Sequence, residues 1–292
     1  MLEKVDNCPL CNGGHFNDYI VCEDFTVSHE KFTITQCDQC HLLLTNPRPT
    51  AETISSYYQS ENYISHQNKS TNPINLIYKI ARHFTIKSKI RLLKRLTTTG
   101  KVLDVGCGTG HFLKACQKEG WQAMGVEPDP TARAIASDKT GIQITNTLFK
   151  LETTFDIITL WHVLEHVSDL TSYLTKLYDL LDNNGTIIVA VPNYRSFDAQ
   201  HYKEYWAGYD VPRHLYHFDQ DAMLRLMAKH QLKVREIVPM KLDAYYVSML
   251  SEGYKRPGLK KYVNSFITGW KSNIYAKKNN KNYSSLIYII TK

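Results

Sequence analysis

The sequence predicts an α/β protein: a mostly parallel, seven-stranded sheet with helices on both faces, preceded by a small cysteine-stapled module. From Lys101 onward, short β-branched runs alternate with amphipathic helical stretches, the rhythm of successive β-α-β units. Ahead of that region, Cys8-Pro-Leu-Cys11 and Cys37-Asp-Gln-Cys40 stand as two Cys-x-x-Cys pairs with 25 residues between them. The two prolines of Asn46-Pro-Arg-Pro49 break any continuing element and mark a module boundary.

Taken in order, residues 1–48 form the cysteine module, with strand-like alternation at Phe32-Thr-Ile-Thr-Gln36. Residues 49–99 turn helical: Ile74, Ile77, Tyr78 and Ala81 recur at the spacing of one buried face. Lys79, Arg82, Lys87, Lys89, Arg91, Lys94 and Arg95 fall on the opposite face, which reads as solvated. The main domain occupies 100–292. Its seven strands are expected at 102–106, 123–127, 142–144, 155–161, 185–191, 234–238 and 285–290, and its helices at 110–119, 131–139, 169–181 and 219–230. An insert at 243–283 separates the last two strands, holds two helices and enters with Tyr245 and Tyr246, so it is expected to cap the mouth of the site.

The bulk composition is that of an ordinary globular protein, 43% apolar and 22% charged. A formal charge of +7 suits an anionic small-molecule acceptor, but 35 basic against 28 acidic residues is a modest excess and argues only weakly for nucleic acid. Apolar runs fall short of the roughly 20 residues of a membrane span. No signal-peptide core precedes Cys8, so a cytoplasmic protein without a membrane partner is expected. The sequence does not set the oligomeric state.

The turn after the first main-domain strand reads Asp104-Val-Gly-Cys-Gly-Thr-Gly110. A dinucleotide site wants Gly-x-Gly-x-x-Gly, whereas the third glycine here is Gly110 and position 111 is His. The missing Gly-Lys-Ser/Thr likewise excludes a P-loop. A Gly-x-Gly-x-Gly turn lets the backbone run close under a ligand that carries no bulky phosphate, which describes S-adenosylmethionine. Glu127 ends the next strand 19 residues after Gly108, where a carboxylate can accept from both ribose hydroxyls.

These motifs, together with Phe155-Asp-Ile-Ile158, His162-Val-Leu-Glu-His-Val167 and Asn184-Gly-Thr-Ile-Ile-Val189, resemble the ordered motifs of class I S-adenosylmethionine-dependent methyltransferases over residues 100–240. Within that superfamily the chain is most similar to the ubiquinone-pathway O-methyltransferase branch. The resemblance implies a Rossmann-like sheet, with Asp104, Gly106, Cys107, Gly108 and Gly110 along the methionine side of the cofactor and Glu127 on the ribose. It also implies that Asn146 and Leu148 approach the adenine, although the usual acidic residue is absent there.

Cys8, Cys11, Cys37 and Cys40 have the spacing of a four-thiolate structural zinc site, each pair supplying two ligands to one tetrahedral ion. His15 and His41 are near enough to compete. Four thiolates leave no open position, so the metal is assigned to folding. Some sugar C-methyltransferases open with a similar module but carry a large extra carboxy-terminal domain, which is not expected here. Zinc ribbons also read nucleic acid, but only Lys31 is basic between Cys8 and Cys40.

His162, Glu165 and His166 follow the fourth strand, at the carboxyl edge where open α/β sheets bind ligands. The stretch 206–218, Trp-Ala-Gly-Tyr-Asp-Val-Pro-Arg-His-Leu-Tyr-His-Phe, follows the fifth. Three roles compete. His166 or His214 acts as general base on an acceptor hydroxyl or carbon acid. Alternatively His162, Glu165, His166 and a later histidine hold a second divalent ion, an arrangement similar to that of small-RNA 2′-O-methyltransferases. Otherwise these groups brace the loop and His162 simply touches the cofactor. Trp206, Tyr209 and Tyr216 either stack on an acceptor or fill core. The favoured activity is methyl transfer to oxygen or activated carbon of a small molecule. The rivals are an RNA methyltransferase and a non-catalytic cofactor-binding or scaffold protein.

Overall fold

The computed structural model describes residues 1–58, 73–256 and 258–292, with the side chains of its first long helix from Arg82 onward. The buried face expected at Ile74, Ile77, Tyr78 and Ala81 therefore lies outside the described side chains.

The main sheet is built from β6 (Lys101–Val105), β7 (Gln122–Val126), β8 (Phe155–Trp161), β9 (Leu181–Pro192), β11 (Lys233–Pro239) and β12 (Ser285–Thr291), in the spatial order β11-β12-β9-β8-β6-β7. Strands β7, β6, β8 and β9 run parallel, while β12 lies antiparallel between β9 and β11. Among the described residues this sheet has six strands, one fewer than expected. The segment 142–144 contributes no strand; beside it, Thr145 makes a single parallel bridge to Val126. The chain there is too short: Gly141, at φ 73°, ends the preceding helix, and Thr147 already caps the 3-10 turn Leu148–Lys150.

Alternation sends successive strand residues to opposite faces, and because helices cover both, both sets are apolar. On one face Val102, Ile157, Ile188 and Ala190 pack with Ile90 and Leu93 of α1 (Pro73–Leu96) and with Phe112 and Cys116 of α2 (His111–Lys118). On the other, Leu103, Val105, Ile158, Leu160, Ile187 and Val189 meet α4 (Leu170–Leu180) and α6 (Gln220–Lys229). The intervening α3 (Pro130–Thr140) starts where the Asp129 carboxylate accepts from Ala132 N at 2.7 Å, with Pro130 in the first turn, a standard start signal.

The amino-terminal region adds β2 (Phe16–Glu23), β3 (Lys31–Cys37) and β4 (Leu43–Thr45), while β1 (Leu2–Glu3) pairs with β5 (Arg48–Pro49). The edge beside β4 is occupied by β10 (Tyr216–His217), so the later chain completes this sheet. Trp206, Tyr209 and Tyr216 are all buried here, filling core. Arg213 is buried in the same region: its guanidinium donates to Asp24 at 2.9 Å, to Asp210 at 2.6 Å and to the Tyr57 carbonyl at 2.9 Å. The remaining helices are α5 (Phe197–Tyr202), and α7 (Asp243–Lys255) and α8 (Lys260–Lys278) of the expected insert.

Candidate active site and metal centre

Strand β6 delivers its chain into a turn in which Gly106, Gly108 and Gly110 all adopt positive φ, a conformation open to glycine at little cost. The turn is pinned by Val126, whose carbonyl accepts from Gly106 N at 2.8 Å and Cys107 N at 3.0 Å. A Cβ on Gly106 would come within 2.5 Å of Val163 Cγ2, whereas one on Gly108 would meet nothing within 4 Å. The turn therefore packs at its first glycine and opens a cradle at its second. Glu127, nearly buried, closes the cradle: its carboxylate accepts from Gly108 N at 2.8 Å and Asp129 N at 2.9 Å. Each oxygen keeps a second lone pair for an incoming hydroxyl, and burial shifts this carboxyl upward.

Asp104, at the end of β6, is 2% exposed and accepts from Thr159 Oγ1 at 2.7 Å. Burial pushes its carboxyl up to about 7, against the pull of that hydroxyl and of the Lys89 ammonium. Lys89 was assigned by spacing to a solvated face. It instead places Nζ 4.2 Å over the Trp161 ring, and burial lowers it to about 8 despite Asp104 and Asp243 nearby. Helical periodicity has no signal for this, because Trp161 comes from a strand 72 residues later. Cys107 and Leu148 are buried and Asn146 is exposed at the same sheet edge.

Beyond β8, the second group assembles from segments far apart in sequence. His162, at φ 56°, stands between two carboxylates, Nδ1 at 3.4 Å from Glu165 and Nε2 at 3.2 Å from Asp243 of α7. Burial favours the neutral ring, but the two carboxylates outweigh it and raise His162 to about 10, so it is an imidazolium at neutral pH. Asp243 was not foreseen; it enters because the insert begins beside the carboxyl edge.

Glu165 is 1% exposed, and neither of its carboxylate oxygens has a hydrogen-bond partner. Burial raises it, yet His162, His214 and His166 outweigh that and hold it below the usual range. His166 Nδ1 lies 3.0 Å from the Arg213 carbonyl and His214 Nδ1 lies 2.9 Å from that of Gly208. A carbonyl can only accept, so both Nδ1 atoms carry a proton, and Nε2 is the ring atom left for another partner. His166 also lies 3.0 Å from the Tyr58 hydroxyl, and burial, then the charge of His214, lowers it to about 4. Ligand atoms of Glu165, His166 and His214 all lie within 4.8 Å of one another.

The four cysteines converge as well. Cys8 and Cys40 sulfurs are 3.4 Å apart, Cys11 and Cys37 3.5 Å, and all four lie within 4.8 Å of one another. A disulfide needs about 2.05 Å, while four sulfurs about 2.3 Å from one zinc ion stand about 3.8 Å apart. The donor set and its spacing fit a tetrahedral thiolate site. Both knuckles turn alike: the residue after the second cysteine, Asn12 or His41, is left-handed, and its N–H bonds back to the carbonyl of Cys8 or Cys37. His15 and His41 point to solvent. The knuckles rest on α6, where Arg225 donates to the Cys40 carbonyl at 2.6 Å and Lys229 to that of Pro9 at 2.8 Å.

A methyltransferase-domain family matches residues 78–237, more than half of the chain. The chain belongs to that family. Among curated relatives, the ubiquinone biosynthesis O-methyltransferase of Rhodopseudomonas palustris strain HaA2 is 32% identical over 33% of this chain and 42% of its own length. That of Azorhizobium caulinodans is 28% identical over 42% of this chain and 52% of its own. The chain thus spans about half the length of these relatives. The magnesium protoporphyrin IX methyltransferase of Synechocystis PCC 6803, solved with bound SAH, matches 82% of this chain and 99% of its own, with a TM-score of 0.54 at 14% identity. That likeness establishes the shared fold.

Proposed function

We propose that the chain transfers a methyl group from S-adenosylmethionine to oxygen or an activated carbon of a small, anionic acceptor, within the cytoplasm. The reading rests above all on the cradle: a positive-φ Gly108 with open space above it, and a buried Glu127 carboxylate bonded to the same turn. When bound, the cofactor supplies an electrophilic sulfonium methyl. Asp104 would receive the ammonium of its methionine end, Glu127 the ribose hydroxyls, and Asn146 and Leu148 the adenine. The acceptor would then lie toward His166 and His214, held in place by the site and shielded from water. One of these histidines takes the acceptor's proton through Nε2, while the doubly paired His162 fixes the loop and the charge of Glu165.

A second reading of the same cluster has support in one observation. Neither oxygen of the buried Glu165 accepts a hydrogen bond, its close cation being His162 at 3.4 Å, and two histidines locked by Nδ1–H to carbonyls are oriented as metal ligands usually are. Glu165, His166 and His214 would then hold a divalent ion that polarises the acceptor. We further propose that residues 1–48 form a zinc ribbon, 49–99 a helical linker and cap, with Ile90 and Leu93 packed on the main sheet, and 100–292 the methyltransferase domain.

The test is calorimetric titration with S-adenosylhomocysteine, followed by labelled methyl transfer to a panel of phenolic and enolic acceptors and to total RNA. Binding that is lost in Glu127→Ala, with label entering a small molecule, supports the proposal. Label in RNA would overturn the acceptor class, and no binding would overturn the cofactor. A metal requirement is checked by adding divalent ions to chelated protein with zinc content held constant.

A further inference from the structure

Helix α8 is amphipathic in the reverse of the usual sense. A surface helix normally turns its large apolar side chains inward. Here the buried positions are the small or polar Ser265, Thr268, Gly269, Ser272 and Ala276. Leu259, just ahead of the helix, and Val263, Phe266, Ile267, Trp270 and Ile274 are exposed instead, with Val263 at 62%, Phe266 at 64% and Trp270 at 53%. Their spacing of three and four residues places them along one stripe.

The helix is held in this orientation. Ser272 Oγ donates to the buried Asp198 at 2.6 Å, and a Cβ on Gly269 would lie 3.0 Å from the Tyr245 backbone of α7. Rolling the apolar stripe inward would break the first contact and drive bulk into the second. The stripe is therefore a fixed outer surface, larger and more contiguous than scattered exposed apolar residues require.

Charge identifies the partner. Residues 253–281 contain eight Lys and Arg and no Asp or Glu, and Lys260, Lys271, Lys277 and Lys278 on the helix are exposed. A two-fold dimer through this stripe would bring like charge against like charge. Aromatic and aliphatic side chains on one face with flanking lysines instead match a helix lying in the headgroup region of an anionic bilayer. We infer that α8 docks this protein, face-on, to an anionic lipid surface.

No helix among the described residues is long and apolar enough to cross a membrane. The expectation of no membrane partner rested on the lack of a spanning apolar run and of a signal-peptide core, neither of which addresses a helix lying in the surface. The same insert carries Asp243, which pairs with His162, so docking would hold the acceptor side of the site beside the bilayer.

The full chain should float with phosphatidylcholine vesicles containing one quarter phosphatidylglycerol, and bind pure phosphatidylcholine vesicles at least about tenfold more weakly. Binding should weaken as salt is raised. Phe266→Ser/Trp270→Ser and, separately, Lys260→Glu/Lys271→Glu should each weaken flotation by at least about tenfold, with melting temperature and S-adenosylhomocysteine binding retained. No flotation with anionic vesicles overturns the inference, as does flotation unaltered in both variants. A dimer in sedimentation velocity that Phe266→Ser/Trp270→Ser dissociates, without lipid binding in either form, would assign the stripe to self-association instead.

Discussion

Gly106 and Gly108 lie two residues apart in one turn, share positive φ, and should respond oppositely to the same substitution. At Gly106, alanine would hold φ 71°, costing about 1–2 kcal/mol. It would also place Cβ 2.5 Å from Val163 Cγ2, and the χ1 of valine is stiff. Overpacking of that kind costs a further ~1–3 kcal/mol, so Gly106→Ala should lose about 3 kcal/mol of stability. At Gly108, φ is 51° and a new Cβ meets nothing within 4 Å, leaving only the backbone penalty of about 1 kcal/mol. That open space is where the proposed cofactor runs. The same ~1–3 kcal/mol of overpacking should therefore appear in binding, as a loss of S-adenosylhomocysteine affinity of about fivefold to about 150-fold. Urea unfolding measures the first quantity and calorimetric titration the second. Equal destabilisation by the two variants, or unchanged affinity in Gly108→Ala, would refute the assignment of one glycine to packing and the other to the ligand.

Three further outcomes follow from the same geometry. Arg213→Met leaves the buried Asp24 carboxylate and Asp210 without their cation and should cost about 3–5 kcal/mol in urea unfolding, part of it recovered by adding Asp24→Asn. His162 is raised from 6.5 to about 10 by Asp243 and Glu165 against the cost of burial. Its contribution to stability is fully present below about pH 6.5 and lost as pH rises toward 10; His162→Gln should lack this decline in stability–pH profiles. Metal analysis of purified protein should find about one zinc per chain, falling in Cys37→Ser together with the melting temperature; unchanged zinc content would count against the four-thiolate site.

What could be read along the chain was what repeats at short range. Strands, helices and the Gly-x-Gly-x-Gly turn are set by periodicity, by β-branched runs and by residues within a few positions of each other. Asp129-Pro130 starting α3 and Gly141 ending it are local signals of this kind. The four cysteines were equally legible, because each knuckle is a turn of four residues. The seventh strand failed on length: Ile142 and Ile144 have the right character, but Gly141 and Thr147 leave the segment too little chain to pair.

Tertiary structure decided everything that depends on who faces whom. Lys89 looks like one lysine among many on a charged helix, and only the sheet brings Trp161 beneath it. Periodicity likewise gives α8 an apolar stripe without saying that it faces outward; the close fit of Gly269 against α7 and the bond from Ser272 to Asp198 decide that. Glu165, His166 and His214 meet because β8 and β9 are parallel neighbours, so the loops that follow them leave the same edge of the sheet. Local pattern follows from short-range sterics and hydrophobic spacing, whereas pairing, burial and charge state belong to contacts that exist only after the chain has closed on itself.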